Sequence, residues 1–257
     1  MSVTVRKMQT LRVEEAATIP RAAMVLCAGK GTRMMPLTAD KPKALVSVGG
    51  KPMLERTLER CAKAGVQDAV LNIHYAPDAV RDFAKQWRGP PQLRLSDETD
   101  VLLDTGGGIE KALPLLGQEP FLVINCDVLW RNGLSNALAH LAHHWDDVQM
   151  DVLLMLVRTI GAVGIGDRGD FHFADDGRIA WPKERKVSAT AYAGIQMLHP
   201  RAFENAPGGV YSVRDIWTRA IDSGRAFGCL HEGLWAHVGT PASIADAEAM
   251  LGFERAI

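Results

Sequence analysis

Ala22-Ala23-Met24-Val25-Leu26-Cys27-Ala28-Gly29-Lys30-Gly31-Thr32-Arg33 is an apolar run of strand length that ends in a loop of glycines and cations. A short apolar run bounded by glycine reads as a buried parallel strand. Glycine lets a backbone come close to a phosphate and turn its N–H groups toward the oxygens. Met34-Met35-Pro36-Leu37-Thr38 continues the loop, and Pro42-Lys43 adds another cation to Lys30 and Arg33. A P-loop would need G-x-x-x-x-G-K-[ST], which is absent, and a dinucleotide fingerprint would need glycine where Met34 stands. The loop is therefore expected to hold a phosphate by another pattern.

Outward from this loop, helix and strand signals alternate. A helix over 52–64 opens on Pro52 and ends at Gly65; strands are predicted over 68–73 and 92–95 with a helix over 77–87 between them. A glycine turn at 105–108 leads into a helix that reaches Leu116, and a buried strand covers 120–125. A helix over 134–145 and a strand over 151–157 follow. Residues 161–186 are rich in Gly and Asp and predict an inserted hairpin with strands over 170–174 and 178–181. A strand over 189–198, a helix over 213–223, one or two strands within 226–238 and a closing helix over 241–253 complete the chain. The pattern predicts an α/β fold: a Rossmann-like, mostly parallel sheet with helices on both faces and a small inserted β-hairpin region. Residues 1–20 are expected to form a flexible arm and 21–257 a single domain.

Composition excludes several classes. Lys and Arg total 29 against 30 for Asp and Glu in 257 residues, which leaves a net charge of -1 and argues against a nucleic-acid binder or an acidic tail protein. Cys27, Cys61, Cys126 and Cys229 lie far apart and form no C-x-x-C pair, which argues against a disulfide scaffold or a sulfur-rich zinc site and suits a reducing compartment. No apolar run approaches the ~20 residues of a membrane span, and the first residues lack the apolar core of a secretory signal. A cytoplasmic location, with neither nucleic acid nor membrane as a partner, is expected.

Three further stretches carry chemistry. Asp104-Thr105-Gly106-Gly107-Gly108-Ile109 stands at a helix start, where glycines leave room for a flat ligand beside open N–H groups. Asn125-Cys126-Asp127 ends a buried strand, where functional groups of open α/β sheets collect, and a carboxylate there is a hard ligand suited to Mg2+. Leu234-Trp235-Ala236-His237-Val238-Gly239-Thr240-Pro241 places a histidine between two apolar positions. His140, His143 and His144 share one helix at i, i+3 and i+4 spacing, which either binds metal or, the preferred reading, forms a solvated face, while Cys27 and Cys126 read as small buried fillers.

The pattern Gly29-x-Gly31-x-Arg33-Met34-x-Pro36-Leu37-Thr38 followed by Pro42-Lys43 resembles the signature of the sugar-1-phosphate nucleotidyltransferases, and the likeness runs from Ala22 to the last helix. That resemblance implies an enzyme joining a sugar-1-phosphate to a nucleoside triphosphate with release of pyrophosphate. It implies that Ala28, Gly29, Gly31, Thr32 and Arg33 bind the nucleotide, that Thr105, Gly106 and Gly107 line its base, and that Arg33, Lys43 and Asp127 are catalytic. Asp127 would hold Mg2+, with Mn2+ as an alternative. Many members carry a second proline where this chain has Ala44, and an aspartate as a second metal ligand where it has His237. His237 then either ligates the metal, hydrogen-bonds a phosphate or metal-bound water, or packs beside Trp235. Within the family, Asp104–Ile109, Gly169-Asp170-Phe171 and Tyr192-Ala193-Gly194-Ile195 are similar to the N-acetylmuramate-1-phosphate uridylyltransferases of cell-wall recycling. This implies UTP as the nucleotide, with Asn125, Asp170 and Tyr192 near the sugar; Arg168 is either a partner for a lactyl carboxylate, which a planar guanidinium suits, or a solvated loop charge. A mannose- or heptose-phosphate guanylyltransferase and a non-catalytic nucleotide-binding regulator remain the alternatives.

Overall fold

The computed structural model describes residues 18–165, 168–183 and 186–252. Of the arm expected over 1–20, only 18–20 fall among the described residues. In chain order the strands are β1 (Ala22–Leu26), β2 (Ser47–Val48), β3 (Lys51–Pro52), β4 (Asp68–Ile73), β5 (Gln92–Asp97), β6 (Phe121–Asn125), β7 (Val128–Trp130), β8 (Val152–Arg158), β9 (His172–Phe173), β10 (Ile179–Ala180), β11 (Thr190–Leu198), β12 (Ala226–Leu230) and β13 (Trp235–His237). The helices are α1 (Met53–Ala64), α2 (Pro77–Gln86), α3 (Asp104–Leu116), α4 (Ala137–His143), α5 (Val213–Asp222) and α6 (Ala242–Leu251).

Seven strands form the central sheet in the order β12-β8-β11-β6-β1-β4-β5. β1 pairs in parallel with both β4 and β6, while β11 runs antiparallel to β6 and β8. The strand order therefore reverses at β1, and in open α/β sheets such a reversal leaves a crevice at the carboxyl ends of the strands. Alternate residues of each strand enter opposite cores. Met24, Val70 and Val123 meet Ile109 of α3 and Trp217 of α5 on one face. On the other face, Val25 and Leu71 meet Leu54 of α1 and Val80 of α2, and Ile124 meets Leu138 and Leu141 of α4. Burial on both faces is why β1 and most of β4 and β6 read as apolar.

The inserted hairpin is present: β9 and β10 pair antiparallel, Phe173 opposite Ile179. Three expectations need revision. The helix expected over 134–145 is shorter, because the Asn136 side chain accepts from the N–H groups of Leu138 and Ala139 and caps α4 there, leaving Leu134 fully exposed. The glycines of 105–108 are not a turn before α3 but its first turns. β7, pairing with β13, was not expected at all, since three residues are too few to show a period.

Candidate active site

The carboxyl ends of β1 and β6 open on a cleft of about 480 Å³. Ala28, Gly29 and Lys43 line one wall, Asn125, Cys126 and Asp127 the floor, and Asn72, Leu102, Asp104, Thr105 and Val210 the other side. The glycine loop is built from its backbone outward. Gly31 has φ +60°, and a Cβ there would lie 3.0 Å from Lys43 Cβ, so the turn needs glycine for both conformation and space. The Thr38 hydroxyl donates to the Gly31 carbonyl at 2.8 Å, and the Tyr75 hydroxyl reaches the carbonyls of Thr38 and Ala39. Met34 is fully buried against Val46, Val48 and Met53 and anchors the short helical turn Thr32–Met34. Thr32 and Arg33 stay exposed on the loop and do not line the cleft, and Arg33 has no ion pair or hydrogen bond among the described residues.

Asp127 is the meeting point of the site. Lys43 Nζ lies 2.8 Å from its Oδ2, and His237 Nε2 lies 3.2 Å from the same oxygen. The β-ladder makes the second contact: Val128 of β7 is opposite His237 of β13, and the Val238 N–H donates to the Asp127 carbonyl at 2.8 Å. Lys43 is set by its neighbour Ala44, which is fully buried with Val25, Leu54 and Cys126. The alanine in place of a second proline is therefore a core residue. Burial alone would raise the Asp127 carboxyl; the His237 hydrogen bond and the Lys43 charge overcome it and hold the group well below the usual carboxylate range.

The donor set fits a divalent ion. His237 Nδ1 faces the Gly164 carbonyl at 3.3 Å, so both ring nitrogens face acceptor oxygens. Nδ1 donates to the carbonyl, and the Nε2 edge needs either a proton or a cation toward Asp127. The 3.2 Å between Nε2 and Oδ2 is close to the ~3.0 Å between adjacent ligands of an octahedral ion with ~2.1 Å bonds. One carboxylate and one imidazole suit Mg2+ weakly and Mn2+ better.

A buried network that the sequence reading missed ties the two walls together. The Cys27 N–H donates to Asn72 Oδ1 at 2.7 Å, Asn72 Nδ2 donates to Glu98 Oε1 at 2.8 Å, and the Leu103 N–H donates to Glu98 Oε2 at 3.1 Å. Glu98 is only 1% exposed. The available signal was an asparagine inside the apolar strand 68–73 and an acid just after the next strand.

The glycine triplet, expected to line the nucleobase, packs closely against the segment 209–212. The N–H groups of Gly106 and Gly107 donate to the Tyr211 carbonyl at 2.9 and 3.2 Å, so they are not open to a ligand. A Cβ on Gly106 would lie 2.4 Å from the Tyr211 ring, one on Gly107 1.9 Å from the Gly209 carbonyl oxygen, and one on Gly108 2.7 Å from Glu98 Oε1. The triplet lets α3 dock against 209–212, and Thr105, whose hydroxyl accepts from the Val213 N–H, carries the segment to the cleft.

On the expected sugar side, Asn125 lines the cleft, whereas Asp170 and Tyr192 do not. Asp170 Oδ2 accepts from the Tyr192 N–H at 2.9 Å and braces β11. The Tyr192 hydroxyl is buried without a hydrogen-bond partner among the described residues. Burial, with the Asp127 charge adding to it, pushes that phenol well above its usual value. Arg168 is exposed, and its neighbour Asp167 lies outside the described residues. Cys27 and Cys126 are buried on the cleft floor; the Cys27 thiol donates to the Val25 carbonyl, and the neighbouring Cys126 thiol and burial push it up, as expected of inert fillers.

Residues 22–252 match the family model described as nucleotidyl transferase. The chain is 41% identical over 235 residues to the N-acetylmuramate alpha-1-phosphate uridylyltransferase of Caulobacter vibrioides, covering 90% of this chain and 97% of that one. It is 32% identical to the enzyme of the same name from Neisseria meningitidis, covering 90% and 98%. A solved structure of UDP-glucose pyrophosphorylase with UDP-glucose has the same fold, with a TM-score of 0.74 at 17% identity over 90% of this chain and 98% of that one.

Proposed function

The chain belongs to the nucleotidyl transferase family, as an enzyme of the sugar-1-phosphate nucleotidyltransferase class, and from that premise we propose that it joins N-acetylmuramate-1-phosphate to UTP, releasing pyrophosphate. The observation that carries this reading is the convergence of Lys43 and His237 on one oxygen of Asp127 in the cleft. The substrate assignment rests on the names of the two relatives that match this chain along almost their whole length.

The reaction is an in-line displacement in which a phosphate oxygen of the sugar-1-phosphate attacks the α-phosphorus and pyrophosphate leaves. The nucleophile is already an anion, so the protein positions groups and neutralises charge rather than removing a proton. Arg33, exposed and without an ion pair or hydrogen bond among the described residues, takes the β- and γ-phosphates, while the N–H groups of the loop at Ala28 to Thr32 face the triphosphate. Lys43 leaves Asp127 for the α-phosphate when substrate arrives. Asp127 and His237 would hold Mg2+ or Mn2+, which supplies positive charge at the reacting phosphate. Leu102, Asp104 and Thr105, set by the docking of Gly106 and Gly107, form the wall for the base. Asn125 reaches the sugar directly, and Asp170 and Tyr192 act by shaping the strand behind it. Buried free cysteines suit a reducing cytoplasm, where such an enzyme would return cell-wall amino sugar to use.

The test is pyrophosphate release from N-acetylmuramate-, N-acetylglucosamine- and mannose-1-phosphate, each with UTP and with GTP. The proposal expects the first sugar with UTP to give the highest kcat/KM. A preference for mannose-1-phosphate with GTP would make the protein a guanylyltransferase, and silence with every pair would leave a nucleotide-binding regulator.

A further inference from the structure

At the edge of the sheet, away from the catalytic cleft, α4 and β12 bring three ligand-type side chains together. His140, His144 and Cys229 each offer one ligand atom, and these atoms lie within 4.8 Å of one another. They line a surface cleft of about 590 Å³ whose rim also carries Asp175, Asp176 and Glu232. The histidines alone are a four-residue helical repeat; tertiary structure adds the thiol from 85 to 89 residues away.

Each group is prepared for a cation. The His144 Nδ1 lies 2.8 Å from the His140 carbonyl, which can only accept. Nδ1 therefore carries the hydrogen and Nε2 is left with a lone pair, the tautomer usual in metal-binding histidines. The half-buried His140 lines the same cleft. The Cys229 sulfur is buried and has no hydrogen-bond partner among the described residues. A bound cation would give the buried sulfur the partner it lacks among the described residues.

We propose that His140, His144 and Cys229 form a second metal site, for one ion of the Zn2+ class, separate from the Asp127–His237 pair. One thiolate and two imidazoles select a borderline-soft ion over Mg2+. Three protein ligands leave a fourth position toward the cleft. Bonds of ~2.0–2.3 Å place ligand atoms ~3.3–3.8 Å apart, so the cluster must close by about 1 Å. His144 is exposed at the end of α4, and a small side-chain rotation that keeps its Nδ1–H on the His140 carbonyl would supply that movement. α4 follows the strand β7 beside Asp127, and β12 leads to β13, which carries His237. The ion would clip together the two segments that deliver the catalytic pair.

The test uses the full-length protein stripped with a chelator and titrated with Co2+, read by the thiolate-to-cobalt charge-transfer band, and with Zn2+, read by Tm. The site predicts one such band, its loss in Cys229→Ser, and its retention in His237→Ala. His144→Ala should weaken Co2+ at least as much as the roughly 10–100-fold that loss of a supporting group costs, and should abolish the rise in Tm with Zn2+. Should Cys229→Ser fail to fold, the exposed His144→Ala decides. No thiolate band in the wild type, a band that survives Cys229→Ser, or equal Co2+ affinity and Zn2+ response in His144→Ala would overturn the proposal.

Discussion

Lys43 and His237 share one carboxylate oxygen, so their roles separate by what each substitution leaves behind. Lys43→Ala removes a preorganised charge from the displacement, and kcat should fall on the order of 10²-fold or more. The fold should persist, because Lys43 is anchored through Ala44 rather than through its own stem. Near-normal turnover in a folded Lys43→Ala protein would remove Lys43 from the reaction. At His237 the comparison is between metals. Asp in its place restores a second hard oxygen ligand, so His237→Asp should work with Mg2+ and lose any preference for Mn2+. His237→Ala should lose rate with both. Equal steady-state rates of the three proteins in both metals would show that the imidazole only packs between Gly164 and Asp127.

At the scale of the element, α3 shows how a glycine triplet expected beside a nucleobase also serves packing. The triplet at 106–108 does stand beside the cleft, yet its N–H groups and its missing side chains serve the docking of one segment on another. Gly29 offers the contrast, since a Cβ there would meet nothing within 4 Å. Gly107→Ala should cost about 1–3 kcal/mol or more through overpacking against the rigid Gly209 carbonyl, and should raise KM for the nucleotide as the wall shifts. Gly29→Ala should keep its stability and raise KM alone, because its methyl group enters the cleft. Urea midpoints and nucleotide KM for the two variants check this; equal stability loss in both would sink the docking argument. The helices α1, α2 and α5 were legible because their apolar stripe continues over several turns. α4 was drawn too long because His144 and Trp145 extend its composition while Asn136 sets its start.

For the whole molecule, the chemistry lies at one end of the sheet and an ion-pair cluster at the other. Asp151 receives Arg201 Nε at 2.6 Å and Arg225 Nε at 2.8 Å, joining the start of β8, the start of β12 and the turn after β11. Burial would raise the Asp151 carboxyl, but these guanidinium groups lower it below the ordinary value. A depressed folded pKa means that this stabilisation is complete above the ordinary ~3.9 and is lost as pH falls through the folded value. Asp151→Ala should therefore cost about 2 kcal/mol near neutral pH, between an exposed and a buried pair, or a Tm lower by ~4–8 °C. The gap to wild type should shrink in strong acid, and kcat of the folded variant should stay unchanged; a gap independent of pH would remove the ion pairs as its cause. The sequence by itself determined the alternation of strand and helix, the phosphate loop after β1, and the strand-end place of Asp127. Each of these rests on neighbours in the chain: burial on two faces, backbone freedom at adjacent glycines, and the end of an apolar run. Only the tertiary structure decided that Lys43, Asp127 and His237 share one oxygen, that Asn72 and Glu98 join the cleft walls, and that Cys229 meets His140 and His144. Those contacts join positions 26 to 110 residues apart, and their geometry is set by sheet register and packing, which no local pattern of residues records.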